Sequence, residues 1–215
     1  MTGAESAGTS YANAKVRLLN PSETEPERRT YIVIGLGRSG TSFVASVLRY
    51  LDVFLGDAAT ERTLEDARLG RQMDARDDAA AAGTIADYDS RFDVWGFKRP
   101  SMLLHAARTE GLFRNPRYIF THRDFFAIGL RNEIAIARGI SDSLRRCVEA
   151  SGHIYRLMET SAAPSLHLSF EAMIGDRLRA AEVIRDFVRP EAAGTPIDRP
   201  DFEAFMDARL RSYFS

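Results

Sequence analysis

Apolar residues along the chain fall into short continuous runs separated by stretches of helical period. Residues 31–35 form an uninterrupted apolar run into glycine, the pattern of a strand buried on both faces. In the next segment, 41–51, Val44, Val47, Leu48 and Leu51 fall on one side of a helix. The pattern then repeats. Strands are predicted over 94–98, 118–121 and 165–169. A helix is predicted over 100–110, with Pro100 in its first turn and Gly111 just past its end. Asp124 reads as the N-cap of a helix over 125–138 that Gly139 stops, and Ser141 or Asp142 caps another running to about 160. Asp176 caps a helix ending before Pro190, and an amphipathic helix closes the chain over 201–213. Residues 61–82 are mostly charged or alanine and read as one solvent-facing helix. Strands alternating with helices predict an α/β fold, a parallel sheet covered by helices on both faces. Such sheets bind ligands beyond the carboxyl ends of their strands, here after Gly35, Phe97 and Thr121.

Residues 1–29 are small and polar and lack such patterning. They read as a flexible or loosely docked arm whose apolar patch at 16–19 suits one edge contact, and 30–215 reads as a single domain. The net charge of −1 offers no global field for nucleic acid, so an anion site has to be built locally. No run of eighteen apolar residues predicts a membrane span and no signal-peptide core is present, which makes the cytoplasm the expected location. The single cysteine, Cys147, precludes an internal disulfide and lies on a helix-period stripe as a small core residue.

The chemistry concentrates in the turn after the first strand, Gly35-Leu36-Gly37-Arg38-Ser39-Gly40-Thr41-Ser42. A strand-to-helix loop presents unpaired amides and the positive end of a helix dipole, which together favour phosphate. Three readings compete. Gly35, Gly37 and Gly40 fit the G-x-G-x-x-G of dinucleotide sites, and Asp57 stands about twenty residues on, where the ribose-binding acid is wanted. That site, however, has no need of an arginine or of two hydroxyls. An ATP loop wants lysine where Thr41 stands, and a strand ending in Asp to hold magnesium. The later strands end instead in Lys98 and in His122-Arg123, which suits an anion bound without metal. Arg38, Thr41 and Ser42 also exceed what a ligand-free turn requires.

These residues resemble the sulfotransferase family, a P-loop nucleoside triphosphate hydrolase-like architecture. The loop fits its phosphosulfate motif G-x-x-R-S-G-T-[ST]. Trp95-Gly96-Phe97-Lys98-Arg99-Pro100 resembles its W-x-x-K-x-P turn. Tyr118 to Asp124 resembles its strand ending in Arg-Asp, and Leu166 to Met173 its Tyr-Glu element, so the likeness spans about 31–188. The resemblance implies transfer of a sulfuryl group from 3′-phosphoadenosine 5′-phosphosulfate to a hydroxyl or amine, with no metal required. It implies that Gly37, Arg38, Ser39, Gly40, Thr41 and Ser42 hold the 5′-phosphate. Arg38 would neutralise the leaving phosphate, Lys98 would reach the sulfuryl oxygens and Arg123 would grip the 3′-phosphate. Eight residues after Arg123, where the family places serine, this chain has Arg131, with Asn132 beside it as the other candidate. The general base is expected among Glu65, Glu61 and Asp66, with Glu65 first. His122 is a lesser candidate, whereas Trp95, His105, His167 and Glu171 read as structural. The arginines 62, 68, 71 and 76 make 57–90 the expected acceptor region and favour a glycan or small polar metabolite. The alternatives are a P-loop kinase and a nucleotide-binding protein without catalysis.

Overall fold

The structure, a computed structural model, describes residues 16–22 and 24–214, with side chains to Arg209. In chain order the elements are β1 (Val16–Leu19), β2 (Arg29–Gly35), α1 (Thr41–Tyr50), α2 (Ala67–Asp74), α3 (Asp78–Arg91), β3 (Val94–Lys98), α4 (Ala106–Thr109), β4 (Pro116–His122), α5 (Phe125–Ile136), α6 (Ile140–Thr160), β5 (Ser165–Ser169), α7 (Phe170–Gly175), α8 (Arg177–Val188) and α9 (Arg199–Phe214). The strands form one sheet in the order β1-β5-β4-β2-β3. The pairs β2–β3, β2–β4 and β4–β5 are parallel, as the alternating pattern predicts. Successive residues of β2 point to opposite faces. Tyr31 and Val33 pack with Val44, Leu48, Ile184 and Phe202 of α1, α8 and α9. Ile32 and Ile34 pack with Ile85, Tyr88, Trp95 and Ile154 on the side of α3 and α6. A strand that meets a core on each face has to be apolar throughout, which is why 31–34 carries no alternation. Among the described residues no helix is long and apolar enough to cross a membrane.

Three parts of the chain differ from the sequence reading. Residues 16–19, assigned to the arm, form an edge strand antiparallel to β5, with Val16 opposite Leu168. They cover what would otherwise be an open strand edge. The contact continues into 24–29, where Glu25 pairs with buried Arg117 at 2.7 Å and Arg29 reaches the Val188 carbonyl at 3.0 Å. The rest of the arm, 1–15, lies outside the described residues. The single helix expected over 61–82 is two helices, α2 and α3, and each has its own acid cap. Asp66 accepts from the amides of Arg68 and Leu69 at 2.8 and 2.9 Å, and Asp77 accepts from that of Ala80 at 3.0 Å. The pair is also half buried, through Leu69, Met73, Ile85 and Tyr88. Finally, Gly139 does not stop α5: Ala137 takes the left-handed turn at φ 50°, and Gly139 begins α6.

Asp66 is fully buried and also accepts the Tyr88 hydroxyl, while a Cβ on Gly56 would lie 2.2 Å from its Oδ2. Its removal leaves two helix amides and a phenol without their acceptor. Asp66→Ala is expected to lower the unfolding free energy by about 2 kcal/mol or more, against about 1 kcal/mol for the exposed cap in Asp77→Ala. Urea denaturation of the two variants checks this. Equal midpoint shifts would show that burial of Asp66 adds nothing to its capping role.

Candidate active site

The turn between β2 and α1 is shaped mainly by Ser39. Its amide donates to the Leu36 carbonyl at 3.0 Å and its hydroxyl donates to the same oxygen at 2.6 Å. Its Oγ also lies 2.7 Å from Thr121 Oγ1 at the end of β4. Ser39, expected among the phosphate ligands, therefore has both its donors engaged inside the loop. The amides of Thr41 and Ser42, in the first turn of α1, have no intrahelical acceptor. Gly40 precedes them at φ 98° without a capping side chain.

The three glycines are not equivalent. A Cβ on Gly35 would lie 2.2 Å from Thr121 Oγ1, and one on Gly40 would lie 2.6 Å from Phe170 Cδ2. Gly37 has no positive φ, and a Cβ there would meet nothing within 4 Å. The dinucleotide spacing is therefore matched in letters only, because nothing in the loop requires its middle glycine. Arg38 takes the left-handed conformation instead, at φ 72°.

Over the start of α1 lies a groove of about 230 Å³ lined by Arg38, Arg62, Arg123, Arg131 and Arg209 together with Gly40, Thr41 and Ser42. Among the described residues none of its lining is acidic. Arg123 emerges from β4, and Arg131 lies about two turns further along α5. Arg123 donates from Nη1 to the Arg38 carbonyl at 2.8 Å, and its guanidinium sits 4.1 Å over the Phe170 ring. Arg209 Nη1 contacts Glu61 at 3.0 Å. Arg123 Nε and Arg209 Nε are buried without a hydrogen-bond acceptor among the described residues. A polyvalent anion would supply what these donors and the helix amides lack. Asn132, the other candidate beside Arg131, lines a separate trough.

Lys98, at the end of β3, brings the proposed chemistry to the same loop. Its Nζ lies 2.6 Å from Glu65 Oε1, 3.0 Å from the Thr63 carbonyl and 3.4 Å from Ser42 Oγ. Burial pushes the Lys98 ammonium below its ordinary pKa, and the Glu65 carboxylate opposes that shift. The other carboxylates considered as bases are engaged elsewhere: Asp66 caps α2, and Glu61 lies at the surface with Arg49 and Arg209. His105 bonds to Asp74 at 3.2 Å, and His122 stands 3.0 Å from His167. Thus Arg38, Gly40, Thr41, Ser42, Arg123 and Arg131 line one groove, with the Lys98–Glu65 pair joined to it through Ser42, while Gly37 faces the neighbouring trough. The sequence reading placed Arg62 with the acceptor and passed over Arg209 and Phe170. Both reach the loop from elements far away in the chain; Phe170 stands in the Leu166–Met173 element, and no motif marks Arg209.

Gly37→Ala is expected to leave anion binding intact and Gly40→Ala to abolish it. The check is the rise in melting temperature that inorganic pyrophosphate gives each variant. A full rise for Gly40→Ala would show that the amides of α1 do not hold the anion.

Neither a protein-family profile nor a curated protein sequence matches the chain. Among solved structures, the sulfotransferase domain of an olefin synthase from Synechococcus PCC 7002 overlays with a TM-score of 0.51 at 19% identity, covering 91% of this chain and 80% of that one. Sulfotransferases from Mycobacterium avium (TM-score 0.45, 15% identity, 81% and 70% covered) and Mycobacterium tuberculosis H37Rv (0.43, 14%, 87% and 74%) are more distant. With its helix-flanked sheet and the overlay on the olefin synthase domain, the chain has the fold of a sulfotransferase domain.

Proposed function

We propose that this protein is a sulfotransferase that moves a sulfuryl group from 3′-phosphoadenosine 5′-phosphosulfate to an acceptor hydroxyl. The observation that carries this reading is the groove of five arginines over the start of α1, joined through Ser42 to buried Lys98 and its half-buried partner Glu65. The donor presents two separated phosphate positions, and the arginines come in two corresponding sets. Arg38, with the amides and hydroxyls of Thr41 and Ser42, serves the 5′-phosphate. Arg123 and Arg131 serve the 3′-phosphate.

In the reaction the bond from sulfur to the 5′-phosphate oxygen breaks and a bond from sulfur to the acceptor oxygen forms. Adenosine 3′,5′-bisphosphate leaves, and the acceptor proton passes to Glu65. Catalysis of such a loose in-line transfer rests on positioning and on stabilising charge. The Lys98–Glu65 pair couples the two ends of the step. When Glu65 takes the proton it loses its charge, and the Lys98 ammonium is released toward the sulfuryl and leaving-group oxygens. Burial heightens this effect, because a desolvated cation seeks the nearest anion.

Calorimetry without added metal tests the donor site. Adenosine 3′,5′-bisphosphate is expected to bind at least tenfold more tightly than 5′-AMP, and Arg123→Ala and Arg131→Ala are each expected to remove most of that preference. Lys98→Ala and Glu65→Gln should keep bisphosphate affinity but slow sulfuryl transfer by roughly 10²–10⁴. Equal affinity for the two nucleotides would overturn the sulfotransferase reading.

A further inference from the structure

A second cavity, of about 340 Å³, shares Arg38 with the arginine groove. Its walls come from three places: the loop at Leu36 and Gly37, the turn Pro100–Leu104 that follows Lys98, and the facing sides of α5 and α6. Its position is therefore set by the same two strand ends that carry Arg38 and Lys98. The lining is mostly apolar. Leu103, Ile128 and Cys147 are buried within it. Leu104 and Ile136 also line it and are 55% and 50% exposed. Large apolar side chains left half in water at a cavity mouth mark a surface that an apolar ligand covers. Among the described residues no acid lines the trough, and Arg138 and Arg146 stand at its polar edge. Ser143, one of the lining residues, is 1% exposed, and its hydroxyl is enclosed without a hydrogen-bond partner among the described residues. A native fold seldom leaves a buried hydroxyl unpaired, and a ligand atom is one way to pair it.

Two of the arginines of 57–90 are committed elsewhere. Arg62 faces the anion groove, and Arg68 is held by Asp57 at 3.7 Å and by the Tyr88 hydroxyl at 3.1 Å.

We propose that the trough between the Pro100–Leu104 turn and helices α5 and α6 binds the acceptor, and that the acceptor is an apolar alcohol. Its hydroxyl lies at the Arg38 end and its hydrocarbon body covers Leu104 and Ile136. The inference rests on the sulfuryl-transfer reading above. The product is a sulfate ester, formed as the acceptor's proton leaves to Glu65 and the bisphosphate departs.

Two measurements test it. In a series of straight-chain alcohols from hexanol to decanol, kcat/KM for sulfuryl transfer should rise roughly three- to fourfold per added methylene, as burial of each group requires, while glucosamine is a poor acceptor. A flat series, or better turnover of the sugar, overturns the proposal. The second measurement needs no turnover. Cys147 is the only cysteine of the chain, so methanethiosulfonate labelling followed by intact mass reports on the trough alone. Decanol is expected to slow the labelling at least fivefold. Leu104→Arg and Ile136→Arg, at exposed positions the fold tolerates, should remove that protection and leave bisphosphate affinity within twofold. No protection in the wild type, or equal protection in both variants, overturns the apolar site. Protection of Cys147 without any bisphosphate binding would instead sink the sulfuryl-transfer reading, and the acceptor role with it.

Discussion

The absence of a side chain at Gly35 is the constraint on which the site depends. Strands β2 and β4 run parallel in a register that sets Gly35 opposite Thr121. At that crossing the Thr121 hydroxyl occupies the space a Cβ would need. Because the space is taken, the Thr121 hydroxyl can reach Ser39, and Ser39 in turn folds the loop back onto Leu36. The chain then leaves the sheet at one height from both strands. Arg38 and Arg123 emerge as neighbours, and Arg123 bonds the Arg38 carbonyl. Any side chain at position 35 would push these two exits apart. That would separate two of the arginines that line the groove.

Electrostatics at the site depends on where the acids are placed. The whole chain is nearly neutral, yet among the described residues the groove lining contains arginines and no carboxylate. The acids are paired elsewhere on the surface: Asp57 with Arg91, Asp74 with Arg99 and Asp142 with Arg145 and Arg146. A field that is weak overall can be strong in one concave place, where low-dielectric walls keep water from screening it. Lys98 follows the opposite rule. It is buried to 2% exposure, and such burial is tolerable because Glu65 is in contact with it. The groove arginine Arg209 meets its carboxylate, Glu61, at the surface, whereas Lys98 meets Glu65 in the interior.

Much of this was legible in the sequence, and the limits have physical causes. The strands β2, β3, β4 and β5 show as apolar runs because both faces of the sheet are covered. The loop and the strand-end residues Lys98 and Arg123 show because their chemistry is local, set by a few adjacent residues. The helix α2 was lost because its cap, Asp66, sits in a run of other acids and only its burial distinguishes it. The patch at 16–19 makes the edge contact its apolar residues suggest, but its partner lies about 150 positions away, and Arg209 reaches the groove from the last helix. Long-range placements of this kind leave no periodic trace. Gly37 is the reverse case, a letter that fits a motif without any steric reason to be glycine.

The crowding of five guanidinium groups around one groove has a consequence for the empty protein. Like charges held close oppose the folded state, and a ligand that neutralises them removes that opposition and adds its own binding free energy to the fold. The vacant chain is therefore the less durable form, more open to local unfolding and to proteases than the occupied one. On the proposed function, such a link would tie the lifetime of the folded chain to the supply of the nucleotide it binds.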